Sequence, residues 1–180
     1  RVLKDAVIWP DFMQKELHLD PERIWRELND LPTWPAEKDI PHRVDGSDPH
    51  WISGDHPALN MRGNNLMRAK IWAQADYSSG LLRYRYPGLQ WRIGYATHAV
   101  EKIPMLHQVA MALNAGMDIQ HNHWIVTRYR DEKDNIGFHS DSPVDICNDS
   151  WIVALKLGAE RNFSFRMVYD KKTEVGTKPF

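Results

Sequence analysis

The stretch from Trp124 to Asp141, W-I-V-T-R-Y-R-D-E-K-D-N-I-G-F-H-S-D, limits the fold more than any other part of the chain. The apolar, β-rich run from Trp124 to Tyr129 predicts a strand, and the charged segment from Asp131 to Asn135 predicts a turn. A second short extended run then ends in His139 and Asp141. On extended backbone, residues i and i+2 project from the same face, so the imidazole of His139 and the carboxylate of Asp141 can converge on one point. The rest of the chain reads as the sheet and braces that hold this segment.

One imidazole and one carboxylate are two-thirds of a facial metal site. Two His and one carboxylate with open positions suit a non-haem Fe(II) that must bind a co-substrate and dioxygen together. The spacing by itself is weak, because a chain with nine His meets H-x-D about once by chance. His18-Leu19-Asp20 repeats it, yet there Asp20 precedes Pro21 and reads as a helix N-cap followed by Pro at the first helical position. His121-Asn122-His123 offers another pair at strand spacing, more simply read as surface or strand-entry histidines. Cys147 sits between Asp145 and Asp149, whose charges would raise its thiol pKa and argue against a nucleophile.

Around this centre the pattern predicts a short extended segment from Val2 to Trp9, a turn near Pro10, and a helix from Pro21 to Leu31. Ile24, Trp25, Leu28 and Leu31 form the helix's apolar stripe. Residues 32–65 are punctuated by Pro and Gly and are expected to conceal short strands, among them Trp51 to Ser53. A strand follows over residues 66–75, with Met67, Ala69, Ile71 and Ala73 alternating with Arg68, Lys70 and Trp72. A second helix spans Pro104 to Ala115, striped by Leu106, Val109, Ala110 and Leu113, with Gly116 suited to the C′ position. Two more strands are expected at Trp151 to Leu157 and Asn162 to Val168. Many strands and few helices predict an α+β domain with a double-stranded β-helix (jelly-roll) core and flanking N-terminal helices.

A chain of 180 residues with eight Trp, six Tyr and five Phe has enough apolar bulk for one real core. No run approaches 18 apolar residues, so no membrane span is expected. A single cysteine cannot form an internal disulfide, which points to a reducing intracellular compartment, and the chain is expected to act as a monomer. The net charge of −1 lacks the basic excess typical of phosphate-binding proteins, although charge can segregate locally. Residues 81–95, L-L-R-Y-R-Y-P-G-L-Q-W-R-I-G-Y, hold Arg and aromatics with no acid. Such interleaving suits single-stranded nucleic acid, and suits an edge strand equally well. Phosphate-binding and serine-hydrolase signatures are absent.

The run T-R-Y-R-D-E-K-D-N-I-G-F-H-S-D, with the later S-W-I-V-A-L-K-L-G-A-E-R-N-F-S-F-R, resembles the AlkB-like branch of the 2-oxoglutarate/Fe(II)-dependent dioxygenases. Tyr129, Asp134, Ile136, His139, Asp141, Gly158, Arg161, Phe163, Phe165 and Arg166 fall in that family's register. Upstream, Y-R-Y-P-G followed by Trp91 looks like the family's Y-x-Y-S-G segment, which lies in a lid over the substrate. The resemblance implies Fe(II) and 2-oxoglutarate as cofactors, with His139 and Asp141 as catalytic metal ligands. It implies that Tyr129 and Thr127 bind the co-substrate, Thr127 replacing the family's Asn. It further implies substrate contacts from Arg83, Tyr84, Arg85, Tyr86, Trp91, Ser142 and Arg161, Ser142 standing where DNA-repair members often carry an acid. Asp134 would stabilise the turn that presents the metal ligands.

The activity so implied is hydroxylation of a substrate C–H coupled to decarboxylation of 2-oxoglutarate. On an N-methyl group this amounts to demethylation, as in oxidative DNA repair or RNA demethylation. A nucleobase taken out of the stack is the leading substrate. The same chemistry on a protein or small molecule, or a non-catalytic binding module, are the alternatives. In the family a distal His and the Arg that clamps 2-oxoglutarate follow the R-x-F-x-F-R strand, whereas the residues after Arg166, M-V-Y-D-K-K-T-E-V-G-T-K-P-F, include neither His nor Arg. A single domain over 1–180, incomplete at its C-terminus, with an underligated metal position and little turnover by itself, is therefore expected. His98, His121 and His123 are the first alternatives for a third ligand.

Overall fold

The structure, a computed structural model, describes residues 6–40, 48, 50–61, 63–75, 98–141, 146–147 and 150–165. In chain order its elements are α1 (Phe12–Lys15), α2 (Pro21–Asn29), β1 (Asn60–Met61), β2 (Asn64–Asn65), β3 (Ala69–Gln74), β4 (His98–Ala99), α3 (Pro104–Met117) and β5 (His123–Arg128). Two single 3₁₀ turns, Pro57–Leu59 and Val100–Lys102, lie between them. The central sheet has the order β4-β3-β5, β3 running antiparallel to β5 and parallel to β4. A mixed sheet with a few helices is the α+β arrangement that the patterning predicts.

The alternation in β3 sorts its side chains onto two covered faces. Ala69, Ile71 and Ala73, with Trp124 and Val126 of β5, pack against Ile24 and Leu28 of α2 and Leu106, Val109, Ala110 and Leu113 of α3. Trp72 and Ile125 lie on the opposite face beneath Trp34, Ile40, Ile52, Leu59 and Leu66. Each large apolar side chain so buried contributes roughly 1.5–3 kcal/mol, which makes β3 the best-supported element of the molecule. Trp51 joins the helical layer and donates its indole N–H to the Leu28 carbonyl at 2.8 Å, tying the Pro-rich segment to the end of α2.

That segment does conceal extended pieces, as predicted. Thr33 bridges Trp51 in parallel and Ile52 bridges Lys70 in antiparallel fashion, so Ile52 adds a rung to the edge of β3 that also carries β4. Asp20 caps α2 by accepting from the Glu22 N–H at 3.0 Å, with Pro21 at the first turn, again as expected.

Several points differ from the sequence reading. The short α1 was not foreseen, its four residues being too few to show a period. Trp25 is 46% exposed rather than part of the buried stripe, its indole lying against the backbone of Gly158. The third helix runs through Gly116 to Met117 and ends on Asp118, in the left-handed conformation at φ 51°. Gly116 answers to packing instead of capping, since a Cβ there would come within 2.5 Å of Leu17 Cδ2.

The last correction concerns the predicted strands after residue 150. Residues 150–165 join no ladder among the described residues, and 166–168 lie outside them. The period-two pattern nevertheless holds: Val153, Leu155 and Leu157 are partly buried against the helical core, and their neighbours are exposed. Alternation reports which face meets the core, whereas a strand also needs a backbone partner, which no local pattern supplies.

Candidate active site

β5 delivers the site. Thr127 stands opposite Lys70 of β3, and the Lys70 ammonium donates to Thr127 Oγ1 at 3.1 Å. This places the pair on the sheet face away from the helices, the face of Trp72 and Ile125. Past the end of β5 the chain turns sharply, because the Asp131 carboxylate accepts from the N–H groups of Lys133 and Asp134 at 2.8 and 3.2 Å.

Asp134 is the keystone of this turn, its side chain only 2% exposed. Its carboxylate accepts from the Arg130 backbone N–H, from Nε and from Nη2, at 2.8, 2.8 and 2.9 Å. Burial would raise the Asp134 pKa, but these Arg130 hydrogen bonds and charge, together with Arg161, hold it below the usual carboxylate range. Arg130 Nη1 continues to Asp55 at 2.6 Å, linking the turn to the Pro-rich segment. Arg161 donates to the carbonyls of Asp131 and Asp134 and stacks on the Tyr129 ring at 4.5 Å. The Asn135 N–H bonds the Met67 carbonyl at 2.9 Å, and Arg68 Nη1 bonds the Asn135 carbonyl at 3.0 Å, so the turn is fastened to the entry of β3 as well.

The segment so held carries His139 and Asp141. Nδ1 of His139 lies 2.8 Å from the Gly137 carbonyl, which can only accept, so Nδ1 carries the proton and the Nε2 lone pair is left for a ligand. Nε2 and Asp141 Oδ1 are 3.7 Å apart, with the two side chains 47% and 37% exposed. Such an orienting bond to the far nitrogen is what a metal-binding imidazole needs. These two donors fit two positions of a divalent metal. Among the described residues no group of three or more His, Cys, Asp or Glu side chains is placed to hold one.

The predicted residues are thus spread over three settings. Thr127 lies in β5, Tyr129 follows it with Arg161 stacked on its ring, and His139 and Asp141 sit together on the segment beyond the turn. Arg83, Tyr84, Arg85, Tyr86, Trp91 and Ser142 lie outside the described residues. The other histidines have their own surroundings: His121 Nε2 lies 2.7 Å from the Trp151 carbonyl, and His98 sits beside His50 with ring centroids 4.7 Å apart. His18-Leu19-Asp20 is the entry to α2, as read from Pro21.

Lys70, Arg130 and Asp55 escaped the sequence reading. Lys70 is 3% exposed. Burial, reinforced by Arg68 and opposed by Asp141, lowers its pKa to about 7. A lysine sharing a strand face with Trp72 was the available signal, since a solvated face does not ordinarily present a tryptophan.

An imidazole whose Nδ1 is held by a carbonyl and a neighbouring carboxylate are two of the donor types that non-haem Fe(II) sites of the oxygenase kind use. The family model of the 2OG-Fe(II) oxygenase superfamily matches residues 39–178, and the chain belongs to that superfamily. It is a 2-oxoglutarate/Fe(II)-dependent dioxygenase, with Fe(II) and 2-oxoglutarate as its cofactors. Comparison with curated proteins and with solved structures gives no match. Among the described residues, no helix is long and apolar enough to cross a membrane.

Proposed function

We propose that this dioxygenase is an AlkB-like enzyme built on a double-stranded β-helix, and that it removes N-alkyl groups from a nucleobase of DNA or RNA. The observation that carries the proposal is the knot of Tyr129, Asp134 and Arg161. These residues belong to the two halves of the AlkB-like pattern, separated along the chain, and the Arg161 guanidinium lies on the Tyr129 ring while holding the Asp131 and Asp134 carbonyls. In this reading Arg161 aids the substrate by fixing the turn that borders it.

His139 Nε2 and Asp141 would hold the iron, and the Gly137 carbonyl keeps the imidazole in the required tautomer. Bound iron supplies the oxidation of a substrate C–H by dioxygen, coupled to conversion of 2-oxoglutarate into succinate and carbon dioxide. Tyr129 and Thr127, on consecutive same-face positions, would orient the co-substrate. The apolar cover of Trp34, Ile52, Leu59 and Trp72 keeps water from that sheet face. A hydroxylated N-methyl group then departs as formaldehyde and leaves an N–H. The Arg- and aromatic-rich residues 81–95 would grip the strand and stack on its bases.

The test is a mass-spectrometric survey of N-methylated nucleosides in single-stranded oligonucleotides, incubated with the protein and Fe(II), with and without 2-oxoglutarate. Loss of one methylated nucleoside, matched by succinate, is expected only with the co-substrate. Intact oligonucleotides alongside succinate release on peptides or small molecules would move the same chemistry to another substrate, which the net charge of −1 favours.

A further inference from the structure

Two buried imidazoles, those of His50 and His98, take no part in the site at His139 and Asp141. His98 opens β4 opposite Ala73 of β3, and residues paired across a ladder project to one face. It therefore stands on the helical face of the sheet, away from Lys70 and Thr127. His50 arrives from the Pro-rich segment, where its backbone N–H, like that of Trp51, donates to the Pro32 carbonyl at 3.0 Å. The two rings meet with centroids 4.7 Å apart and planes 36° from parallel. They are 8% and 3% exposed, and each is positioned by its own stretch of backbone.

The nitrogens of this pair lack protein partners. Neither Nδ1 nor Nε2 of His50 is hydrogen-bonded, nor is Nδ1 of His98. His56, equally buried, shows what a structural histidine does instead: its Nε2 lies 2.9 Å from the Lys38 carbonyl and its Nδ1 accepts from the Ala58 N–H at 3.1 Å. Three covered nitrogens in one contact are costly unless a ligand takes them up. Burial lowers His98 to about 4, with His50 adding repulsion, and lowers His50 as well, so both rings are neutral near pH 7. Neutral imidazole is the form that binds metal. At His50 the Asp48 carboxylate opposes the shift, so a negative charge reaches this place.

Two imidazoles on adjacent positions of one ion, with metal–nitrogen bonds of about 2.0–2.1 Å, have ring centres roughly 4.5–5.3 Å apart. The pair at 4.7 Å stands at that spacing. We propose that His50 and His98 form a second metal position, separate from His139 and Asp141, which takes a divalent transition cation of the zinc type through one nitrogen of each ring. Imidazole suits such ions, and Zn(II), with no angular preference from its d electrons, accommodates the angle the two rings set. Water fills its other positions, since no group of three or more His, Cys, Asp or Glu among the described residues is placed to hold a metal. Asp48 offsets part of the added charge. The ion ties the Pro-rich segment to the β4 edge of the sheet, and this holds whatever occupies His139 and Asp141.

The test is calorimetric titration of Zn(II) into the full chain carrying His139→Ala and Asp141→Ala, which removes the other metal position. One ion per chain is expected, and X-ray absorption at the zinc edge should show two imidazoles with oxygen. Adding His50→Leu or His98→Leu should each weaken that binding at least roughly tenfold, the least expected even of residues that only support a ligand. Zn(II) should raise the thermal midpoint of the parent, a chelator should reverse the rise, and neither Leu variant should respond. Without metal, both Leu variants should melt at or above the parent, because unpartnered nitrogens leave a covered place, which separates lost binding from misfolding. No zinc bound by the parent, binding untouched by both substitutions, or loss on only one of them overturns the proposal. An absorption spectrum with fewer than two imidazoles does so without any change at His50 or His98.

Discussion

At the scale of residues, the proposed site gives the chemistry to His139 and Asp141 and the task of holding their segment to others. His139→Ala or Asp141→Ala should each lower 2-oxoglutarate turnover by more than roughly 100-fold, beyond the 10–100-fold typical of residues that only support a ligand. His18→Ala, from the second H-x-D, should leave turnover unchanged, because Asp20 there serves the helix end. Equal losses in all three variants would point to unfolding, and circular dichroism would show it. Asp134 is a different case: its carboxylate is buried against Arg130, so Asp134→Asn removes the charge but keeps the volume. Weakening this pair costs roughly 1–3 kcal/mol, since the buried acceptor loses its charge while the guanidinium keeps only Asp55 as an ionic partner. Chemical denaturation should register that loss, and turnover should fall with it because the turn presenting His139 loosens. Full stability in Asp134→Asn would mean that Arg161 and Asp131 hold the turn without it.

Among the elements, β3 decides the rest. Its two faces take the helices and the Pro-rich cover respectively, and Gly54 shows how closely that cover approaches. A Cβ at Gly54 would lie 2.1 Å from the Leu66 carbonyl oxygen and 2.7 Å from that of Arg68. Backbone atoms cannot swing aside as a side-chain end can, so Gly54→Ala should destabilise the protein by roughly 2–4 kcal/mol. Gly63 is the control, with open space around its Cβ position but φ at +85°. Gly63→Asn should change stability by less than about 1 kcal/mol, Asn being among the side chains that tolerate this conformation. Thermal unfolding of both variants separates close approach from backbone conformation, and a Gly54→Ala protein as stable as wild type would contradict the packing described here.

For the whole molecule, one buried and one partly buried imidazole, His98 and His123, shape the response to acid. Burial lowers His98 to about 4, with His50 adding repulsion, and burial alone lowers His123 to about 4. A histidine whose folded pKa is depressed contributes its full stability above the unfolded value near 6.5, and that contribution is lost as pH falls towards the folded value. For His98, 3% exposed, the difference amounts to on the order of 3 kcal/mol, as an upper figure. Asp134 pulls in the same direction at lower pH, since its own pKa is depressed. Stability should therefore be flat near neutrality, fall between about pH 6.5 and 4, and fall more gently in His98→Leu. A pH-independent denaturation midpoint across that window would remove the buried histidines as the cause.

The residues themselves disclosed a good deal. The cap of α2 was legible because Asp20 and Pro21 act within one turn, and β3 and β5 were legible because Ala69, Ile71, Ala73 and the run after His123 show a period that backbone geometry alone imposes. Membership of the 2OG-Fe(II) oxygenase superfamily was equally readable from the pattern between Tyr129 and Phe165, and the superfamily model matches residues 39–178. What the chain order could not disclose depends on partners distant in sequence. Whether residues 150–165 join a ladder rests on a neighbouring backbone, and whether Gly116 caps α3 or lies within it rests on Leu17. Lys70 stands in an alternating strand pattern that does not show Trp34, Ile40 and Leu59 covering its face, and the hold of Arg161 on the Asp131 and Asp134 carbonyls joins residues some thirty positions apart. Local geometry fixes which way a side chain points, but its solvation and its charge partners are set only when remote segments close over it.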